Sequence, residues 1–351
     1  MGNVVELSFS CPQGYLDAGF EVRFQGEGKT VVRPAFWDGA DVWRVRFSAP
    51  VGGEWSWETY GLAEAQSGRL EVSASPTLRL EQGSRNLRDS EGRPRYLVAD
   101  TAWALPYRAT LAEAETFAAD RSAKGFNAAL LMTVQPDMGA EGPWDRTQID
   151  GFDRGFEDLS EGTLRRLRPE YFQHLDRLLE ILHSHGIVPI HSPLFYGFGW
   201  KGQRVIGPVC APEDAARFAR YLVARYGAWP CLWLPGADGT GHEPAVKAMG
   251  EAIASADAYG QPIGIHYNPW QPGNAHWHAP WCAFHLIQTG HIGDHRPDRI
   301  RAHFALSPSR AVANGEPTYE GMGGGVHGLD LWQHDEAWDN LCAGGTLGTF
   351  Y

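Results

Sequence analysis

The chain reads as an α/β protein, a (β/α)8 barrel preceded by a small antiparallel β-sandwich, with the two parts at residues 1–75 and 76–351. Three observations predict this. The first part alternates apolar and polar residues with the period of two that half-buried strands require. From Pro76 onward, short apolar runs alternate with amphipathic stretches in the rhythm of βαβ units. That second part is also about the length of a typical barrel, roughly 250 residues, and a doubly wound open sheet is its main rival.

Taken in order, Trp43, Val45 and Phe47 fall on one face of a strand with the arginines opposite, and Trp55, Trp57 and Thr59 repeat the pattern. Asp38-Gly39 marks a tight turn before the first run, Arg69 to Ser73 gives another short strand, and Ser75-Pro76 ends the unit. The barrel's first strand is Arg95 to Asp100. Its helix opens on Thr110-Leu111-Ala112-Glu113, a capping-box spacing, and closes at Lys124-Gly125. Phe126 to Val134 is the second strand. In the next helix Phe172, Leu175, Leu179 and Leu182 share a face between Pro169 and Gly186. Strand Ile187 to Ser192, helix Pro212 to Gly227, strand Cys231 to Leu234, helix Pro244 to Gly260 and strand Pro262 to Tyr267 follow. Phe284 to Thr289, Ala311 to Glu316 and Gly345 to Tyr351 complete eight strands, with no closing helix after the last.

Composition narrows the function. Hydrophobic residues make up 43% and charged residues 21%, and 14 Trp, 16 Phe and 12 Tyr can fill a core or face a ligand. Lys and Arg total 30 against 42 acidic residues; the formal charge of −12 repels phosphate backbones and anionic lipid, so neither nucleic acid nor membrane is an expected partner. Five widely spaced cysteines, without metal spacing, argue against a disulfide framework. No signal-peptide pattern or membrane-length apolar stretch is present, so a cytoplasmic location is expected, or a secreted one if a leader has been trimmed.

In such a barrel the C-terminal strand ends converge on one mouth, where functional side chains gather. The candidates are Asp100, Gln135, Tyr196, Asp238, His266, Gln288, His291, Glu316 and Glu320. Asp238, after the apolar run Leu232-Trp233-Leu234, and Glu316, in Asn314-Gly315-Glu316-Pro317, stand out because strands four and seven face each other. A glycosidic bond needs a proton on its leaving oxygen and a carboxylate at its anomeric carbon, which two acids across a cleft supply. The bland alternative has Asp238 capping the next helix and Glu316 paired with an arginine.

The stretches Tyr96 to Trp103, Gly125-Phe126-Asn127, Trp233-Leu234-Pro235-Gly236-Ala237-Asp238 and Asn314-Gly315-Glu316-Pro317-Thr318-Tyr319-Glu320 resemble the motifs of apiosidase-like glycoside hydrolases. Phe36-Trp37-Asp38-Gly39, Arg44 to Phe47 and Gly53-Glu54-Trp55 are similar to the N-terminal sandwich that often accompanies them. The resemblance implies retaining hydrolysis of a plant or microbial glycan, with Asp238 as acid/base and Glu316 as nucleophile and without a cofactor; apiose is one candidate sugar. One departure is Ala237, where the family usually has a second glycine, and its methyl crowds a tight turn.

For this chemistry Asp238 must hold a proton at neutral pH, which apolar surroundings and the charge of Glu316 favour. Glu316 must stay ionised, helped by donors such as Asn314 or a nearby His or Tyr. Asp100 and Trp103 are placed to bind hydroxyls and stack on a sugar, with Gln135, Tyr196, His266, Gln288, His291 and Glu320 as further substrate contacts. Trp270, Trp277 and Trp281 are expected to wall the cleft. A catalytically silent carbohydrate-binding protein and a metal-dependent hydrolase, suggested by the pairs His183/His185 and His276/His278, are the competing readings. No metal ligand set is assigned. Sugar identity, linkage and oligomeric state carry no sequence signal, because loop shapes set them.

Overall fold

The structure is a computed structural model that describes residues 4–17, 19–81, 83–289, 295–319 and 332–350. Its N-terminal strands are β1 (Val4–Ser10), β2 (Glu21–Gly26), β3 (Lys29–Pro34), β4 (Phe36–Trp37), β5 (Val42–Ser48), β6 (Gly53–Tyr60) and β7 (Ser67–Val72). They form two antiparallel sheets, β1-β5-β4 and β3-β2-β6-β7. Trp43, Val45 and Phe47 of β5 meet Val22 and Phe24 of β2 and Trp55 of β6 in one core, where the Phe24 and Phe47 rings stack at 4.1 Å. The period of two sends Arg44 and Arg46 to the other face, and Arg46 reaches the barrel.

A third sheet, of β8 (Leu78–Arg79), β9 (Leu87–Asp89) and β10 (Pro94–Arg95), went unpredicted because strands this short carry no periodicity. Leu78 and Leu87 join the barrel's interior cluster at the end where the strands begin, near Thr346, whose Oγ1 donates to the Arg85 carbonyl.

The barrel strands are β11 (Leu97–Asp100), β12 (Ala128–Met132), β13 (Val188–Ser192), β14 (Leu232–Trp233), β15 (Gly264–His266), β16 (Phe284–Gln288), β17 (Ala311–Glu316) and β18 (Gly348–Phe350). They form one eight-stranded sheet, in which β11 pairs in parallel with β18. The bridge between Trp233 and Ile263 brings β14 against β15 and nearly closes the barrel. Both faces are buried, which explains the almost continuous apolar runs. Ala99, Ala128, Leu130, Ile190, Leu232, Leu234, Phe284, Leu286, Ala311 and Ala313 fill the interior.

Outside lie α1 (Leu105–Arg108), α2 (Leu111–Ala123), α3 (Pro169–Ser184), α4 (Pro212–Tyr226), α5 (Pro244–Ala256), α6 (Pro297–Phe304) and α7 (Trp332–Cys342). The start signals act as expected: Thr110 and Glu113 form a capping box on α2, and α3, α4 and α5 begin on proline. The short α1, α6 and α7 were not anticipated. No helix occupies residues 267–283 after β15. There Trp277 stacks on His285 at 4.5 Å and Trp281 lies against Gly250 of α5, so both tryptophans fill the outer layer instead of walling a cleft. Trp270, by contrast, is 85% exposed. No helix among the described residues is long and apolar enough to cross a membrane.

The sandwich is fastened to α3 and α4 by buried charge. Asp176 of α3 accepts from both Arg46 and Arg225, Arg225 also pairs with Asp38, and the Arg33 guanidinium donates to the Val223 and Ala224 carbonyls near the end of α4. A guanidinium there complements the negative end of the helix dipole.

Candidate active site

Along β17, Ala311 and Ala313 point into the barrel while Val312 belongs to the outer core. Strict alternation would therefore turn Glu316 outward. It does not, because Ile287 pairs with Asn314 and Gln288 pairs with Glu316, leaving Gly315 as an extra residue in a bulge. The one-residue slip places Glu316 inside, beside Gln288. Gly315 suits the bulge because a Cβ there would sit 2.5 Å from Leu286 Cβ and 3.0 Å from His266 Cδ2.

Asp238 follows β14 and adopts a left-handed backbone with φ of 56°, which Asp tolerates better than most residues. The preceding Ala237 is fully buried against Met132, Phe195 and Val205, and its N–H donates to the Leu194 carbonyl. Its methyl therefore has a packed seat, and the positive φ falls one residue later than the family's second glycine suggests.

The Gln288 amide nitrogen joins the two acids, donating to Asp238 Oδ1 at 2.8 Å and to Glu316 Oε2 at 2.7 Å. Tyr319 donates its hydroxyl to Glu316 Oε1 at 2.6 Å. His266, at the end of β15 and fully buried, places Nδ1 3.2 Å from Asp238 Oδ1 and Nε2 3.8 Å from Glu316 Oε2. One donor atom from each of Asp238, His266 and Glu316 lies within 4.8 Å of the others. Trp103 meets the His266 ring edge-on at 5.4 Å and also touches Phe195, setting aromatic rings beside the cluster.

Burial opposes a charged imidazole at His266, but the Asp238 carboxylate, the Glu316 charge and the Gly315 carbonyl outweigh it and raise its pKa above the usual value. Tyr319 is held strongly protonated, first by burial and then by Glu316, so it serves as a donor. Asn314 does not donate to the Glu316 carboxylate; its Oδ1 accepts from the Glu316 N–H at 3.3 Å. Asp238 does not cap α5 either, since Glu243 occupies that position.

The other sequence candidates divide. Asp100 follows the alternation that turns Leu97 and Ala99 inward, so it faces out and pairs with Arg121 of α2 at 2.5 Å. Gln135 donates to the Asp137 carbonyl in its own loop. The Tyr196 ring packs close to Gly236 and Gly207, and its hydroxyl makes no hydrogen bond among the described residues. His291 and Glu320 lie outside the described residues. Tyr319 was readable only as part of its motif, because a tyrosine three residues past a strand end has no distinctive spacing.

The described residues hold one group of three with metal-ligand chemistry, Asp238, His266 and Glu316. The Gln288 amide donor is aimed at both carboxylates, so a cation between them would meet N–H dipoles of the wrong sign. The arrangement suits hydrogen-bonded carboxylates better than a metal. His183 is half-buried and stacked on Trp229, with its pKa pushed down to about 4 by desolvation, and His185 pairs with Glu115.

Comparisons with known proteins bear on the family and the fold. Residues 81–351 match the family described as apiosidase-like, catalytic domain, and residues 3–61 match a domain of unknown function, DUF5060. No curated protein matches the chain. Among solved structures, a protein of Bacteroides vulgatus provisionally assigned as a glycoside hydrolase superposes with a TM-score of 0.76 at 19% identity, covering 99% of this chain and 70% of that one. A glycoside hydrolase family 5 protein of the same species gives 0.61 at 20% identity, covering 78% of this chain and 62% of that one. The catalytic domain of Thermobifida fusca endoglucanase Cel5A gives 0.51 at 15% identity, covering 78% and 83%. At these identities the superpositions establish the fold, and the family match carries the assignment: the chain belongs to the apiosidase-like glycosidases.

Proposed function

We propose that the chain hydrolyses a glycosidic bond with retention of configuration, with Glu316 as nucleophile and Asp238 as acid/base. The observation that supports this most directly is the Gln288 amide shared between the two carboxylates. One oxygen of each acid lies within 4.8 Å of the other, a closeness that favours retaining hydrolysis, with carboxyl groups about 5 to 5.5 Å apart, over the wider gap that leaves room for an inverting water.

In the first step a Glu316 oxygen attacks the anomeric carbon, the bond to the leaving oxygen breaks, and Asp238 delivers a proton to that oxygen. A covalent ester to Glu316 results. In the second step Asp238, now a carboxylate, takes a proton from water as the water oxygen displaces Glu316, returning both acids to their starting state. Tyr319 and Gln288 hold one Glu316 oxygen each, which fixes the line of attack. His266 beside Asp238 keeps a proton in the cluster.

The test uses a panel of aryl glycosides and plant and microbial glycans, with the anomer of the first product followed by NMR. Glu316→Gln is expected to abolish turnover without unfolding the protein. Asp238→Asn should slow substrates with poor leaving groups far more than activated aryl glycosides. Equal loss on both substrates removes the acid role from Asp238, and an inverted first product removes the retaining mechanism.

A further inference from the structure

We propose that Glu336 of α7 is a positioning residue that holds the β17 bulge, and through it Glu316, from outside the barrel. The inference rests on Glu316 being the nucleophile. Glu336 is 2% exposed and lies outside the barrel, beside the outward-facing Thr289 and Asn314, where it touches no reacting atom. Three donors converge on its carboxylate. Oε1 accepts from Thr289 Oγ1 at 3.1 Å and Asn314 Nδ2 at 3.2 Å, and Oε2 accepts from the Thr318 N–H at 3.2 Å.

These donors bracket the site in sequence. Thr289 follows Gln288, Asn314 precedes the bulged Gly315, and Thr318 comes two residues after Glu316. Because Glu336 takes the Asn314 amide nitrogen, the amide oxygen must turn the other way, where it accepts the N–H groups of Glu316 and Thr289, each at 3.3 Å. A glycine bulge has little stiffness of its own, so this external anchor decides where the Glu316 backbone sits. His295 completes the outer side, with Nδ1 3.4 Å from Glu336 Oε1 and Nε2 3.3 Å from Asp339 Oδ2.

Two substitutions and their combination test the idea. Glu336→Gln sets an amide N–H₂ against one of the three donors. Asn314→Asp removes the Nδ2 donor and places a second carboxylate against Glu336, while keeping the oxygen that receives the Glu316 N–H. In the double variant the new amide at position 336 can donate to the new carboxylate at position 314, so complementarity returns with its polarity reversed. On an activated aryl glycoside that the wild type cleaves, each single variant should lose roughly 10- to 100-fold in kcat, the order expected for a misplacement near 1 Å, with KM within twofold. The double variant should recover at least tenfold over the worse single one. Losses that simply multiply, or a lowered Tm with unchanged kcat, overturn the proposal in favour of a plain structural brace. If Glu336→Gln does not fold, the double variant decides alone: folded and active supports the inference, unfolded refutes it.

A crystal structure of Glu336→Gln separates this inference from the hydrolase reading. Displacement of the Glu316 carboxylate from the Gln288 amide and the Tyr319 hydroxyl supports positioning even if no glycoside is cleaved. An unmoved carboxylate refutes it even in an active enzyme.

Discussion

Ala313 and Glu316 face the same side of β17 although three positions separate them, because Gly315 is inserted in a bulge between them. The inward aim of Glu316 therefore depends on a residue with no side chain. In Gly315→Ala the new methyl meets Leu286 Cβ and the His266 ring, neither of which can withdraw from a packed barrel. Overpacking of this kind costs about 1–3 kcal/mol. Thermal unfolding should report that loss, and activity should fall by roughly 100-fold as Glu316 shifts. A variant with wild-type kcat would show that the bulge does not set the aim.

His266 Nδ1 lies 3.2 Å from Asp238 Oδ1, and the raised pKa of the imidazole gives this contact a pH dependence. The folded pKa lies above the unfolded value near 6.5, so its contribution to stability is complete below that pH and is lost as pH rises through the folded pKa. The titration belongs to the cluster and not to one residue. In His266→Gln that pH-dependent contribution disappears, so the loss of stability as pH rises through the folded imidazole pKa should flatten in thermal unfolding followed against pH. A stability profile with the wild-type slope would remove His266 from the proton balance.

Trp270 is exposed, but its loop is pinned. Arg299 donates to the carbonyls of Pro269 and Gln271, the neighbours of Trp270, and to that of Gln288, while Asn268 Oδ1 accepts the Trp270 N–H. One guanidinium thus ties an open aromatic face to the strand end that carries Gln288. If a sugar outside the cleavage point stacks there, Trp270→Ala should raise KM by roughly 3- to 10-fold, in line with about 0.5–1.5 kcal/mol for an aromatic contact. kcat should hold, and Trp270→Phe should keep most of the affinity. An unchanged KM on oligosaccharides would exclude the platform.

How much the sequence revealed follows the physics of each signal. Periodicity and helix starts act over a few residues, so the barrel strands and the proline-led α3, α4 and α5 were legible, as were Asp238 and Glu316 at strand ends. Direction at a strand end was not. Asp100 obeys alternation and faces Arg121, whereas Glu316 escapes it through one glycine, and both looked alike as acids closing an apolar run. Trp277 and Trp281 read as cleft walls because the missing helix whose place they take has no sequence mark. Glu336 stayed hidden because its helix was not anticipated and its partners lie on other elements.

Ion pairs join the sandwich to the barrel. Asp176 accepts from Arg46 on one side and Arg225 on the other, and Arg225 is wholly buried. Burial works to raise the pKa of Asp176, but the two guanidiniums outweigh it and hold it below the ordinary value. Its contribution to stability is therefore present above the unfolded pKa near 3.9 and is lost as pH falls through the lower folded one. Asp176→Ala would leave two guanidiniums facing each other without their counter-charge, a defect worth about 3–5 kcal/mol. Because those charges join both parts, wild-type calorimetry should show one cooperative transition, and the variant a lower Tm with the sandwich melting first. Two separate transitions in the wild type would mean that this network does not couple the parts.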